Sequence, residues 1–237
     1  EEQCLQDMLQ TGVVKPSASP WASPIVLVRK TDGTVRWCVD YRKLNDVTIK
    51  DAYPLPKIEM CLDCLGSAKL FSTIDLQSGY WQLQMDSEDC VKTVFITKNG
   101  LFEYTKMPFG LATAPASFQR CMEMVMRGLQ WKVLLIYLDD IIIYGSDFDE
   151  HLERLTEVFH RLIGAGLKLK PSKCHLLETE VLFLGHIVGA DGINPNPKIV
   201  QTVESWKPPR DVKEVQRFLG LCNYYRRFVR GFSDIAA

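Results

Sequence analysis

The 237-residue sequence contains no apolar stretch long enough to cross a lipid bilayer. Its longest apolar segment, residues 133–144, is interrupted by Asp139 and Asp140 and falls short of the roughly 20 residues that a transmembrane helix needs. The first residues also lack the basic start and the apolar run of a secretory signal peptide. The sequence therefore predicts an intracellular protein without a membrane span.

Cysteines with the spacing of a metal or disulfide framework are also scarce. Eight cysteines are scattered along the chain, and without a secretory signal this distribution favours free thiols. Cys61 and Cys64 form the only C-x-x-C pair, and Cys174-His175 is the only distant candidate for a second pair of ligands. We expect the cysteines to act as small buried residues, with a zinc site as the weaker alternative.

The sequence has almost no net charge, but its charges are unevenly placed. Residues 1–50 carry 7 basic and 6 acidic side chains, residues 51–165 carry 10 and 16, and residues 166–237 carry 11 and 7. A protein that only coats nucleic acid has no use for an acidic centre, because its phosphate contacts come from Lys and Arg. An acidic centre is explained better by a divalent metal between protein and phosphate.

Hydrophobic spacing and turn residues predict a mixed α+β fold. The helix beginning at Ser146 is predicted to have a capping box with Asp149 and a continuous apolar face. That face consists of Phe148, Leu152, Leu155, Phe159 and Leu162. Strands are predicted at residues 25–29, 35–40, 69–75, 93–104 (a hairpin), 133–144 (a hairpin) and 181–188 (a pair), and helices at residues 5–12, 113–128, 146–164 and 212–229.

Two adjacent aspartates, Asp139 and Asp140, fall at the predicted turn of an apolar hairpin. Burying the flanking strands crowds two like charges together, which is unfavourable unless a cation balances them. Mg²⁺ fits this position because it prefers hard oxygen ligands and is usually shared with phosphates. A solvated Asp-Asp turn is the alternative that this short pattern alone leaves open.

Several longer motifs, taken with these aspartates, resemble the reverse transcriptases of gypsy-type long-terminal-repeat retrotransposons. The likeness extends over nearly the whole chain and keeps the order and spacing of the family. It rests on Asp75 at a strand end and on the segments CVDYRKLN (38–45), MPFGL (107–111), YLDD (137–140), SKC (172–174), FLGH (183–186) and FLGLCNYYRRF (218–228).

The resemblance implies a right-hand polymerase fold with an antiparallel sheet in the palm. Fingers are expected at residues 1–49 and 83–113, the palm at 50–82 and 114–189, and the start of a thumb at 190–237. It also implies a larger polyprotein with RNase H and integrase, located in a cytoplasmic particle or the nucleus.

The implied catalytic residues are Asp75, Asp139 and Asp140, which hold two Mg²⁺ ions that Mn²⁺ can replace. In the two-metal scheme, one ion activates the primer 3′-hydroxyl and the other neutralises the triphosphate. The backbone carbonyl of Leu76 completes the second metal site.

The resemblance also assigns the contacts to the incoming deoxynucleoside triphosphate. Arg and Lys side chains suit phosphate oxygens, and an aromatic ring beneath the sugar excludes a 2′-hydroxyl. Phe109 departs from many retroviral relatives, which carry glutamine there. The implied residues are Lys30 (or Arg29 in its place), Arg36, Gln77 and Ser78 (through their backbone N–H groups), Tyr80 and Phe109.

The template and primer, RNA or DNA, are expected to contact a separate set of residues. In the last predicted helix, three positions spaced by four residues share one face, and the family lays such a face in the minor groove of the duplex. Helix–helix packing is the alternative explanation for the central glycine of that face. The implied contacts are Gly110, Tyr137, Phe183, Leu184, Gly185, Gln216, Gly220 and Tyr224.

Two other functions remain open at this point. A domesticated relative or structural subunit would bind nucleic acid without catalysis, although all three aspartates are present. An RNA-dependent RNA polymerase is the other alternative, and Tyr80 argues against it because its ring would exclude the ribose hydroxyl.

Overall fold

The computed structural model describes residues 2–29, 33 and 35–236, with residues 35 and 36 described through their backbone only. The chain divides into two compact units. The first contains Glu1–Pro56, Ile74–Ile141 and Thr156–Cys174. The second contains Lys57–Thr73, Ile142–Leu155 and His175–Ala237.

Helices and strands alternate without a simple repeat, as the α+β prediction requires. The helices are α1 (Glu2–Gln10), α2 (Arg42–Val47), α3 (Ile58–Asp63), α4 (Ser87–Cys90), α5 (Ala114–Val125), α6 (Phe148–Gly164), α7 (Pro197–Glu204), α8 (Val212–Tyr224) and α9 (Phe232–Ile235). The strands are β1 (Val14–Pro16), β2 (Ile25–Arg29), β3 (Val35–Val39), β4 (Leu70–Ile74), β5 (Phe95–Thr97), β6 (Gly100–Tyr104), β7 (Leu134–Tyr137), β8 (Asp140–Gly145), β9 (His175–Glu178), β10 (Glu180–Phe183), β11 (His186–Gly189) and β12 (Gly192–Pro195).

The first unit contains a sheet of order β1-β6-β5 and the antiparallel hairpin β2-β3. Its apolar cluster forms because Leu5 and Met8, one turn apart on α1, pack with Val14 and with Phe95. These four side chains are at most 2% exposed. Val39 of β3 belongs to the same cluster and Ile25 of β2 packs against it, so the cluster joins the hairpin to this sheet.

The second unit contains the antiparallel sheet β10-β11-β12. Leu184 and Gly185 join β10 to β11 with φ angles of 46° and 73°, which is the backbone of a tight two-residue hairpin turn. A further sheet has the order β7-β8-β4-β9. Within the described residues, no helix is long and apolar enough to cross a membrane.

The structure confirms most of the predicted elements, including the hairpin predicted at residues 93–104 and the strand pair predicted at residues 181–188. It corrects the N-terminus of α6, where Asp147 rather than Ser146 accepts the Glu150 N–H at 3.0 Å. The Glu150 carboxylate accepts the N–H of Ser146, the residue before this cap, at 2.7 Å, so the cap lies one residue later than predicted and the two bonds do not form a reciprocal capping box.

The predicted apolar face of α6 is also partly wrong. Phe148 and Leu152 are exposed, and the buried stripe instead consists of His151, Leu155, Val158 and Leu162. The stripe includes a histidine, which a hydrophobic count does not register. The predicted helix at 212–229 ends earlier, at Tyr224. The sequence reading missed α2, α3, α4, α7, α9, β1, β9 and β12.

Candidate active site

The acidic turn lies at the tip of the β7-β8 hairpin. Leu134, Leu135 and Ile136 before the turn, like Ile141 and Ile142 after it, are at most 1% exposed. The burial of these strands fixes the turn, and Leu138 takes a left-handed φ of 53°. A branched side chain in that conformation costs roughly 1 kcal/mol or more, so other contacts must hold it.

Asp75 directly follows β4, which is the neighbour of β8 in sheet order. Its Oδ2 lies 2.9 Å from the Nζ of Lys173. Its backbone carbonyl accepts the Lys170 N–H at 2.8 Å. Lys173 belongs to the SKC segment of the family resemblance, but the sequence assigned it no role.

The three carboxylates interact electrostatically. Partial burial is the largest cause that raises the pKa of Asp139, followed by the charges of Asp140 and Asp75. Burial and the charge of Asp75 raise the pKa of Asp140 in the same way, and Lys173 opposes the increase. The structure thus brings the three predicted residues close enough to repel one another, and this repulsion favours a cation among them.

The metal site is less complete than the sequence predicted. Among residues 2–29, 33 and 35–236, no group of three His, Cys, Asp or Glu side chains is arranged to hold a metal ion. Hard carboxylate oxygens fit Mg²⁺ or Mn²⁺ chemically, while Lys173 contacts the carboxylate of Asp75. The carbonyl role of Leu76, a buried residue, stays a prediction.

Tyr80 lies beside Asp139 in an aromatic cluster. Its ring packs edge-on against Phe109, with 5.0 Å between centroids, and against Phe118, with 5.2 Å. Burial and the charge of Asp139 raise the pKa of Tyr80 to about 12. Phe109 and Phe118 thus hold the ring next to Asp139, and its role in sugar selection stays a prediction.

The other predicted nucleotide contacts are less clear. The Gln77 N–H donates to the Lys168 carbonyl at 2.9 Å, so it would have to leave this partner to reach a phosphate. Ser78 is exposed and has a left-handed φ of 50°. Lys30 lies outside the described residues, and so does the side chain of Arg36. All four roles stay predictions.

On α8, the predicted duplex face is open. Gln216, Gly220 and Tyr224 are exposed, and a Cβ added at Gly220 would meet no atom within 4 Å. Packing within the described chain therefore does not require glycine there, and this argues against the helix–helix alternative.

The predicted primer contacts at Leu184 and Gly185 are anchored by α8 and the residue after it. The Tyr224 hydroxyl donates to the Leu184 carbonyl at 2.6 Å, and the Tyr225 hydroxyl donates to the Gly185 carbonyl at 2.8 Å. Phe183 is buried at 3% exposure. In the first unit, the Gly110 carbonyl accepts from Asn45 at 2.8 Å, and Tyr137 is half-buried.

Comparisons with known proteins show the family of the chain. The model of the family "Reverse transcriptase (RNA-dependent DNA polymerase)" matches residues 28–188. The retrovirus-related Pol polyprotein from transposon 297 of Drosophila melanogaster is 47% identical over 99% of this chain and 23% of its own length. That from transposon gypsy of the same organism is 38% identical over 98% and 23%. The chain thus spans about a quarter of these polyproteins.

Solved structures show the same fold. The foamy viral protease-reverse transcriptase dRH in complex with double-stranded DNA matches with a TM-score of 0.91 and 31% identity, over 99% of this chain and 41% of that chain. The foamy viral protease-reverse transcriptase with an RNA/DNA hybrid matches with a TM-score of 0.81 and 29% identity, over 95% and 30%. Reverse transcriptases generally use divalent metals. The chain belongs to the reverse transcriptase family, as a domain of the gypsy-type retrotransposon kind.

Proposed function

We propose that this chain is an RNA-directed DNA polymerase that extends a primer on an RNA or DNA template by nucleotidyl transfer from deoxynucleoside triphosphates. The observation that carries the proposal is the convergence of Asp75, Asp139 and Asp140, because partial burial and then the charges of the neighbouring carboxylates raise the pKa values of Asp139 and Asp140. A chain that only binds nucleic acid gains nothing from repelling carboxylates beside a duplex of phosphates.

The three carboxylates would hold two Mg²⁺ ions, with Mn²⁺ as a substitute and the Leu76 carbonyl as a further ligand. Such ions activate the primer hydroxyl and neutralise charge on the triphosphate. For both ions to bind, Asp75 must exchange its contact with Lys173 for a metal contact. The chain's own part is to hold the carboxylates close together, while Lys173 lowers the pKa values of Asp139 and Asp140 against the effect of burial.

Tyr80 would act on the sugar of the incoming nucleotide. Phe109 and Phe118 fix the ring from two sides, so a 2′-hydroxyl that meets it cannot simply push it aside. Selection then arises from a built-in clash. Gln77, Ser78, Arg36 and Lys30 would contact the triphosphate.

The template and primer would lie along two further sets of residues. Gln216, Gly220 and Tyr224 would face the minor groove of the duplex, and Phe183 to Gly185 would position the primer end. Gly110 and Tyr137 would contact the template-primer near the catalytic turn. The solved relatives were captured with double-stranded DNA and with an RNA/DNA hybrid, which supports these partners.

In the polymerase hand, the fingers would comprise residues 1–49 and 83–113, the palm 50–82 and 114–189, and the thumb would begin at 190. Because the similar transposon proteins are Pol polyproteins, we propose that this chain works as one part of a polyprotein. RNase H and integrase are the expected neighbours.

Primer extension tests the proposal. Purified protein is given poly(rA)·oligo(dT) and labelled dTTP with Mg²⁺, with Mn²⁺ or with EDTA. We expect extension with either ion and none with EDTA. Tight binding of the duplex without extension under any condition would favour the catalytically silent, nucleic-acid-binding alternative.

A further inference from the structure

Gln119 on α5 is a buried polar residue that the catalytic assignments do not use. It is 0% exposed, and all of its hydrogen-bonding groups have partners. Its side-chain oxygen accepts the Leu138 N–H at 2.7 Å. Its nitrogen donates to the Ile136 carbonyl at 3.0 Å and to a Glu123 carboxylate oxygen at 2.7 Å. A glutamine amide has one acceptor and two donor positions to satisfy here, and each is used.

These bonds reach the two backbone positions on either side of Tyr137. Leu138 is the residue with the unfavourable left-handed φ of 53°, and the next two residues are the catalytic pair. A buried N–H without a partner costs about 1–3 kcal/mol. The Gln119 oxygen therefore stabilises the turn conformation in which the Leu138 N–H points toward α5. If the turn left this conformation, the carboxylates of Asp139 and Asp140 would change position.

A second layer fixes the orientation of the Gln119 amide. Glu123 accepts from Gln119 with one oxygen and from the Tyr53 hydroxyl with the other. The Arg120 guanidinium lies 4.9 Å from the centre of the Tyr53 ring and forms an ion pair with Asp51 at 2.5 Å. A carboxylate can accept only from the NH₂ end of the amide, so the oxygen must face Leu138.

We propose that Gln119 is a positioning residue for polymerisation, which clamps the backbone of the catalytic turn and thereby sets the separation of Asp139 and Asp140 from Asp75. This inference rests on the proposed polymerase function. It adds a specific role for a residue of α5 that touches neither nucleotide nor metal. Gln119 holds the turn from the side of α5, so it does not occupy the side of the turn that would face the substrate.

The chain offers a matched control. Gln130 also bonds the hairpin backbone, since its side-chain oxygen accepts the Ile136 N–H at 3.1 Å. It has no bond to Leu138. Gln119→Met and Gln130→Met remove the same functional group and keep a similar side-chain volume. Only Gln119→Met removes the partner of the Leu138 N–H.

The test measures amide hydrogen exchange at Leu138 and primer extension on the same variants, each first checked by thermal melting. In Gln119→Met we expect Leu138 exchange to be at least tenfold faster, kcat at least tenfold lower, and the template-primer Kd within about twofold of the parent. In Gln130→Met we expect Leu138 exchange and kcat to stay within about threefold. Unchanged Leu138 exchange in Gln119→Met, or faster exchange with unchanged kcat, would overturn the proposal.

An exchanged pair guards against a folding defect in Gln119→Met. Gln119→Glu keeps an acceptor for the Leu138 N–H but turns a carboxylate oxygen toward both Glu123 and the Ile136 carbonyl, and adding Glu123→Gln removes the first of these two repulsions. We expect the double variant to have a kcat at least threefold higher than that of Gln119→Glu, and Leu138 exchange in the double variant as fast as in Gln119→Met would count against the clamp. If the parent protein does not extend primers, the polymerase function fails, but the exchange rates still decide whether Gln119 holds the turn.

Discussion

The Lys173 ammonium lies 2.9 Å from the Asp75 carboxylate, so a cation of the protein already contacts one of the three aspartates that we propose as catalytic. Both side chains are partly exposed, and water and salt weaken such pairs. The contact can therefore be exchanged for a divalent ion at low cost. It reduces the repulsion among the carboxylates while no metal is bound.

Removing this ammonium should strengthen metal binding in the absence of nucleic acid. Lys173→Met eliminates the competing charge, and we expect a Kd for Mn²⁺ that is about 2–5-fold lower, as a surface pair worth 0.2–1 kcal/mol allows. Mn²⁺ binding is followed by electron paramagnetic resonance of the free ion. Lys170→Met, which removes a nearby charge, is the control. Equal or weaker binding by Lys173→Met would show that the two cations do not compete.

The burial of Asp139 and its repulsion by the other aspartates should affect the stability of the fold. The folded pKa of Asp139 is raised above the ordinary value of 3.8, so the ionised carboxyl destabilises the fold at higher pH. Asp139→Asn should therefore raise the Tm at pH 7 in EDTA, by no more than about 2–4 °C because water reaches the carboxyl. The gain should shrink as the pH falls through the raised pKa toward 3.8. A lower Tm for the variant at pH 7 would contradict this account.

Gly220 should be required for binding of the duplex and not for stability of the fold. A Cβ there meets nothing within 4 Å, so Gly220→Ala should increase stability by up to about 1 kcal/mol, the usual helix preference. Gly220→Val should weaken duplex binding and reduce processivity several-fold while single-nucleotide insertion is preserved, because the branched side chain holds α8 off the groove. Gly164→Val, at a similarly open helix position, is the control. Normal processivity in Gly220→Val would exclude a groove contact.

Tyr80 should control sugar choice. Tyr80→Ala removes the ring that Phe109 and Phe118 hold, and the preference for dTTP over UTP opposite template rA should fall at least 10-fold in kcat/KM, or ~1.4 kcal/mol. Tyr80→Phe keeps the ring and should keep the preference. If the preference survives in Tyr80→Ala, Tyr80 is a core residue and another side chain excludes the ribonucleotide.

Local patterns predicted the framework of the site. The apolar, β-branched residues on both sides of Asp139 and Asp140 predict a hairpin from local sequence alone, because strands of that composition are usually buried. Asp75 at the end of an alternating strand and the helix after Thr113 were predictable for similar reasons. The family resemblance then connected these separate segments.

Contacts that depend on three-dimensional packing were not predictable from one sequence. Gln119 lies 19 positions before Leu138, and no spacing rule links a buried glutamine to a turn in another element. The Lys173 contact with Asp75 joins residues 98 positions apart. The α6 cap was misplaced because Ser146, Asp147 and Asp149 all have capping side chains, and only the backbone geometry selects among them.

The most direct measurement compares the parent and Asp139→Asn for duplex binding and primer extension on one defined RNA-template, DNA-primer hybrid with Mg²⁺. The basic contacts to the duplex backbone do not involve Asp139, and one carboxylate ligand is lost. We expect Kd values for the hybrid within about threefold of each other, with primer extension by the parent and a loss of extension activity of at least 1,000-fold in the variant. Extension by Asp139→Asn within tenfold of the parent would contradict the assignment of the three aspartates as the catalytic centre.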